Sequence, residues 1–257
     1  QINGAFEYTA NTGEMLRFED DPRHVYALGD ATMAYNNPVF NQAMDGVLRN
    51  NIAKVTGFQR EFVYLRPAPD LAPAATNDFV VLFDRVGVTQ TNFSGQNTKL
   101  LFHTLSEPVV SGTPLPVSSG ETLFSQAGQA MSDSGPARLF MRFLLPAQRN
   151  LRKVGGRGTK AFWVFDANYD WHWDPAEPQP RPVSDFDFEP YGEWRLELEP
   201  ADLGLNHNFL TVLQPAVTNT PVMFDTALVQ SPGMAGVRIA DPALGRVGMT
   251  ETEALAS

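Results

Sequence analysis

Asp78-Phe-Val-Val-Leu-Phe-Asp-Arg-Val86 and, after a short polar break, Lys99-Leu-Leu-Phe-His-Thr-Leu-Ser-Glu-Pro108 decide how this chain is read. Each is a run rich in Val, Leu and Phe, with the length and composition of a β-strand. Phe79 to Phe83 is apolar without alternation, which predicts a strand covered on both faces and hence stacked sheets. The two runs are expected to form an antiparallel pair. Asp84 and Arg85 fall on opposite faces of a regular strand and need not pair with each other; one is expected to close the strand end and the other to find a partner elsewhere, in a structural salt bridge.

Further runs of the same kind follow along the chain: Phe62–Arg66, Leu139–Leu145, Ala161–Phe165, Trp194–Glu199 and Asn208–Leu213. Pro and Gly punctuate the gaps. Trp194-Arg-Leu-Glu-Leu-Glu199 alternates strictly, which puts Trp194, Leu196 and Leu198 on one face and Arg195, Glu197 and Glu199 on another, expected to be wet. Helix signals are weak. Pro38 to Arg49 carries Val39, Phe40, Ala43, Val47 and Leu48 at spacings that suit a short helix or a surface turn. No internal repeat and no linker divides the chain. The expectation is an all-β fold, a large antiparallel β-sandwich of stacked sheets in which residues 1–257 form one domain.

Composition narrows the partners. The 257 residues include 43% hydrophobic side chains and 18 Phe, ample for a packed interior. No apolar run approaches the roughly 20 residues of a membrane-spanning helix, and Gln1-Ile-Asn-Gly-Ala5 lacks the basic and apolar regions of a signal peptide. No membrane partner is expected. Zero cysteines exclude disulfides, thiolate metal sites and a Cys nucleophile. A net charge of −10 argues against binding a nucleic-acid backbone. It would also repel an acidic polysaccharide unless cations gather locally, as Arg142, Arg149, Arg152, Lys153, Arg157 and Lys160 do in sequence.

Motifs with a defined chemistry are few. His24, His103, His172 and His207 show none of the spacings of a zinc site, and no metal site or cofactor is assigned. There is no nucleophile elbow, P-loop or dinucleotide fingerprint; Gly155-Gly-Arg-Gly158 reads as a turn between strands. His103 sits among Leu101, Phe102 and Leu105, and such a His is more often a hydrogen-bonded core residue than a catalyst. Asp166 to Glu177 places oxygen donors at loop positions 1, 3, 5, 9 and 12 in the order of a calcium loop. Trp171 stands where the sharp turn needs Gly, so an ordinary acidic loop is the preferred reading. Tyr169, Trp171 and Trp173 in that loop offer aromatic faces that can stack on sugar rings, or serve as half-buried anchors.

Several of these landmarks stand in a distinctive order: Tyr26-Ala-Leu-Gly-Asp-Ala-Thr-Met-Ala-Tyr35, Arg60-Glu-Phe-Val-Tyr-Leu65, the Phe-Asp-Arg-Val element ending at Val86, Leu100 to Pro108, Gly192 to Pro200 and Phe209 to Leu213. From about Tyr26 to Leu213 this resembles the C-terminal β-sandwich of the heparinase II/III-like polysaccharide lyases. The resemblance implies an enzyme in two parts, a helical toroid followed by stacked antiparallel sheets, that cleaves uronate-containing chains by β-elimination. A base takes the C5 proton, a neutralised carboxylate stabilises the carbanion, and an acid protonates the leaving oxygen. In the family those groups come mostly from the toroid, and metal-binding strands precede the Gly-Asp-Ala-Thr element. Only about 28 residues precede it here, so no catalytic or metal residue carries over by position. The resemblance therefore implies a sandwich portion inactive alone, with an N-terminal helical toroid and an acidic polysaccharide as partners and a periplasmic or extracellular location. His103, Tyr169, Trp171 and Trp173 are the proposed glycan contacts. The alternative is a carbohydrate-binding or structural assembly module without catalysis.

Overall fold

The computed structural model describes residues 13–36, 39–40, 49–50, 53–66, 78–91, 98–161, 163–164, 167–168, 192–241 and 246–253. The chain opens with β1 (Glu14–Asp21), β2 (His24–Asp30) and a short helix α1 (Thr32–Asn36), then β3 (Val39–Phe40) and β4 (Arg49–Asn50). Next come β5 (Val55–Leu65), β6 (Phe79–Val88), β7 (Leu100–Thr104), β8 (Val109–Val110), β9 (Pro114–Ser118) and β10 (Glu121–Ser125). The middle of the chain holds β11 (Gln129–Ser134), β12 (Ala137–Leu145), β13 (Arg149–Gly155), β14 (Trp163–Val164) and β15 (Ala167–Asn168). It closes with β16 (Trp194–Pro200), β17 (Asn206–Val217), β18 (Asp225–Ser231), β19 (Met234–Asp241) and β20 (Arg246–Glu253).

Three sheets stack. An eight-stranded sheet in the order β1-β2-β5-β6-β17-β12-β11-β8 lies between a five-stranded sheet, β7-β16-β13-β10-β9, and a three-stranded sheet, β18-β19-β20. Pairing across β5, β6, β17 and β12 is antiparallel throughout. The fold is all-β, as the frequent Val- and Phe-rich runs require.

Alternation along the central strands sorts their side chains into two cores. Phe79, Val81, Phe83, Phe140, Leu210 and Val212 pack against Ala235, Val237 and Ile239 of β19. On the opposite face Met141, Phe143 and Phe209 pack against Leu100, Leu151, Leu196 and Leu198 of the five-stranded sheet. Along Phe79 to Phe83 one face, Phe79, Val81 and Phe83, is buried in the first core, whereas Val80 and Leu82 on the other face are half-buried. Burying each of these Phe and Leu side chains contributes about 1.5–3 kcal/mol.

Three expectations need correction. β6 and β7 do not pair: β6 lies between β5 and β17, whereas β7 joins β16 in the facing sheet, where Leu100 and Phe102 pack with Val86 across the core. Apolar runs specify strands but not neighbours: β6 pairs with the preceding β5 and the distant β17, and β7 with the distant β16. Between Pro38 and Arg49, Val39–Phe40 and Arg49–Asn50 form a short antiparallel ladder, with residues 41–48 outside the described residues. The helix lies just upstream, at Thr32–Asn36. Finally, the charged face of β16 is not wet, since Glu197 is 4% and Glu199 1% exposed. Period-two alternation separates two faces and leaves open whether the second is covered.

Candidate functional site

Two polar constellations stand out, one on each major sheet. The first spans β2, β5 and β6 on two consecutive rungs: Gly29 faces Arg60, which faces Asp84, and Asp30 faces Gln59, which faces Arg85. Gly-Asp-Ala-Thr and Phe-Asp-Arg-Val, far apart in sequence, thus flank a single strand. Arg60 donates from Nε to Asp84 Oδ1 at 2.6 Å and from Nη2 to Asp84 Oδ2 at 2.8 Å, the bidentate fork that a planar guanidinium makes with a carboxylate. Arg85, on the opposite face, meets Glu61 at 2.5 Å, and the Tyr26 hydroxyl donates to the other Glu61 oxygen at 3.1 Å. Burial, and then the neighbouring Glu61 carboxylate, push the Tyr26 phenol up to about 12. Asp84 and Arg85 therefore point to opposite faces and find separate partners.

Asp30 organises the turn into α1. Its carboxylate accepts from the Thr32 N–H at 2.8 Å and from Gln59 at 3.3 Å, while Thr32 Oγ1 accepts from the Phe58 N–H at 2.9 Å. Hydrogen bonds from Thr32 outweigh the cost of burial and hold Asp30 below the usual carboxylate range. The two motifs therefore act as fasteners, satisfying buried polar groups where helix, loop and sheet meet.

The second constellation covers the outer face of the five-stranded sheet. Glu197 meets Lys99 at 2.5 Å and accepts from Arg195 Nε at 2.7 Å; Glu199 accepts from Arg152 Nε at 3.2 Å. Arg152 also pairs with Glu121, which pairs in turn with Lys160. Among the described residues this face thus sets three carboxylates against four cations. Burial would raise Glu197, but Lys99 and Arg195 outweigh it and hold the carboxyl below its ordinary range. For Glu199 burial prevails over Arg152 and the carboxyl is raised.

His103 lies on this face, opposite Arg195 on the adjoining strand. It is exposed, so the expectation of a core histidine is corrected: β7 is an edge strand, Leu100 and Phe102 take its inner face, and Leu101 and His103 its outer one. Burial of part of the ring and then the Arg195 charge lower its pKa, which keeps the imidazole neutral at neutral pH. Tyr169, Trp171 and Trp173 lie outside the described residues, as does most of the calcium-like loop from Asp166 to Glu177. The structure therefore brings His103 to a charged platform and does not report on the three aromatics. Among the described residues no group of three or more His, Cys, Asp or Glu is arranged to hold a metal ion.

Arg60, Gln59 and Glu61 were not singled out as partners from sequence, nor was Lys99. For the three β5 residues the signal is the Gln-Arg-Glu run, which becomes meaningful once the register with β6 is known; Lys99 depends instead on the pairing of β7 with β16.

No protein-family model and no curated protein matches this sequence. Among solved structures the chain is similar to a heparan sulfate lyase and to heparinase III. Heparan sulfate lyase HepC from Pedobacter heparinus shares 9% identity at a TM-score of 0.46, over 94% of this chain and 28% of that one. A mutant of the same enzyme gives the same values. Heparinase III shares 12% identity at a TM-score of 0.47, over 94% of this chain and 27% of that one. The chain spans less than a third of the length of the structures it matches.

Proposed function

We propose that this chain is the β-sandwich portion of a polysaccharide lyase that breaks uronate-containing chains by β-elimination, acting as one domain beside a helical part that supplies the reacting groups. The observation that carries this reading is the meeting of Gly29-Asp30-Ala31-Thr32 and Phe83-Asp84-Arg85-Val86 on adjoining rungs around β5. Those two elements carry the sequence resemblance to heparinase II/III-like enzymes, and both meet Gln59 on the strand between them, through Asp30 and Arg85. Their side chains are spent on Gln59, Arg60 and Glu61 of the strand between them, which suits a supporting role and not a reacting one.

Substrate contact in this reading falls to His103, Tyr169, Trp171 and Trp173. A neutral imidazole can hydrogen-bond a sugar hydroxyl, and aromatic faces stack on the apolar faces of sugar rings. The acidic polysaccharide and the helical toroid are the proposed partners, in the periplasm or outside the cell. The exposed Met15, Leu16 and Phe18 on the edge strand β1 favour a second reading, an assembly module without catalysis.

Affinity electrophoresis against heparan, alginate, hyaluronan and a neutral glucan separates the two. Retardation by an acidic polysaccharide is expected, with loss in the Trp171→Ala/Trp173→Ala double variant and weakening in His103→Ala. The chain alone is expected to generate no ultraviolet absorbance from unsaturated uronate product. Absence of retardation by every acidic polysaccharide, or product formation by this chain alone, would overturn the proposal.

A further inference from the structure

The cations that gather in sequence between Arg142 and Lys160 part company in the fold. Arg152 and Lys160 pair with Glu121, and Lys153 with Glu107. Elsewhere, Arg66, Arg85, Arg138 and Arg195 meet Asp20, Glu61, Asp133 and Glu197. Every half-buried Lys or Arg among the described residues is paired with a carboxylate in this way, except Arg142 and Arg149. In a chain of net charge −10 that omission is not for want of carboxylates.

The two arginines come from the two ends of the β12–β13 connection. Arg149 is anchored by carbonyls alone: Nε donates to Ala127 at 2.8 Å, and Nη1 to Pro146 at 2.8 Å and Leu144 at 3.3 Å. Its Nη2 has no partner among the described residues and lies beside Gly128, where a Cβ would stand 3.7 Å from it. Gly128 immediately precedes Gln129, and Gln129 is the direct cross-strand partner of Arg142. Such partners share a sheet face with Cβ atoms about 5 Å apart. Arg142 Nε is buried without a hydrogen bond, and the Gln129 amide also lacks a partner among the described residues. An unmatched buried donor is costly, and an unmatched guanidinium more so.

We propose that Arg142, Arg149 and Gln129 form a binding site for an oxyanion, a sulfate or carboxylate group, at the β11–β12 side of the eight-stranded sheet. A guanidinium fork matches such a group geometrically, and charge-assisted hydrogen bonds to it are about twice as strong as neutral ones. Burial and then the Arg142 charge lower the Arg149 pKa, which an anion at this position would relieve. The oxyanion is either free or borne on an acidic glycan; the second source rests on the lyase reading, the site itself does not.

The test is thermal unfolding in sodium sulfate against sodium chloride of equal ionic strength, for the whole chain and for Arg142→Met and Gln129→Leu. Sulfate stabilises proteins generally, so the informative quantity is the excess over the variants. A saturable excess of about 3 °C is expected in the parent chain, absent in Arg142→Met and reduced in Gln129→Leu. Neither substitution orphans a carboxylate, so both variants are expected to fold. Superimposable sulfate responses in all three chains would overturn the site. Electrophoresis in a sulfated polysaccharide identifies the source: weaker retardation of Arg142→Met assigns the anion to the glycan. Unchanged retardation with the sulfate excess lost assigns it to a free ion. A sulfate excess without retardation of any chain would keep the site and remove the lyase reading instead.

Discussion

Glu197 and Glu199 stand two residues apart on one face of β16, and their proton affinities move in opposite directions. Glu197, held below its ordinary 4.5, binds fewer protons folded than unfolded, so its stabilisation is complete above that value and disappears as pH falls through the folded pKa. Glu199 is raised; it favours the folded chain below the ordinary value, and that contribution is lost as pH rises through its folded pKa. Urea midpoints measured from about pH 3 to pH 7 give the check. Relative to the parent chain, Glu199→Gln is expected to gain stability as pH rises and Glu197→Gln to lose it. Parallel pH profiles for the two variants would contradict this account.

At the scale of elements, the Arg60–Asp84 fork joins β5 to β6 with unequal partners. The Arg60 side chain is 45% exposed and Asp84 2%, so a guanidinium left alone can turn to water whereas a carboxylate cannot. Arg60→Ala is therefore expected to cost about 3–5 kcal/mol and Asp84→Ala clearly less, read from denaturant unfolding. Equal losses would mean that the carboxylate is not trapped. The same pair shows what sequence reading reaches. Opposite faces for Asp84 and Arg85 follow from strand geometry alone; the apolar run Phe79 to Phe83 marks a core strand, although Val80 and Leu82 on its second face are only half-buried. Which strand supplies Arg60 and Glu61 depends on register, set by contacts that no single run contains. Much of the sheet was illegible for a related reason. β1 reads Glu-Met-Leu-Arg-Phe-Glu-Asp-Asp and β9 Pro-Leu-Pro-Val-Ser, edge strands whose charges and prolines hide their type. His103 was misplaced into the core because β7 is also an edge, where an outward position needs no apolar side chain.

For the molecule as a whole, the edges differ in protection. β9 carries Pro114 and Pro116, which cannot donate to an added strand. β1 relies on charge while exposing Met15, Leu16 and Phe18, the last at 62%. Phe18→Lys is expected to change stability by no more than about 0.5 kcal/mol and to reduce concentration-dependent self-association in sedimentation velocity. Unaltered association would place the sticky surface elsewhere.

The separation of β6 and β7 into facing sheets has a consequence for the chain during its synthesis. β6 bonds to β17 and β7 to β16, so both wait for residues near Trp194 to Leu213 before their ladders close. At ordinary translation rates that interval is about ten seconds. Throughout it β6 has only β5 beside it and β7 has no permanent neighbour, and a ribosome stalled before Trp194 would hold out a nascent chain with both sheets open at once.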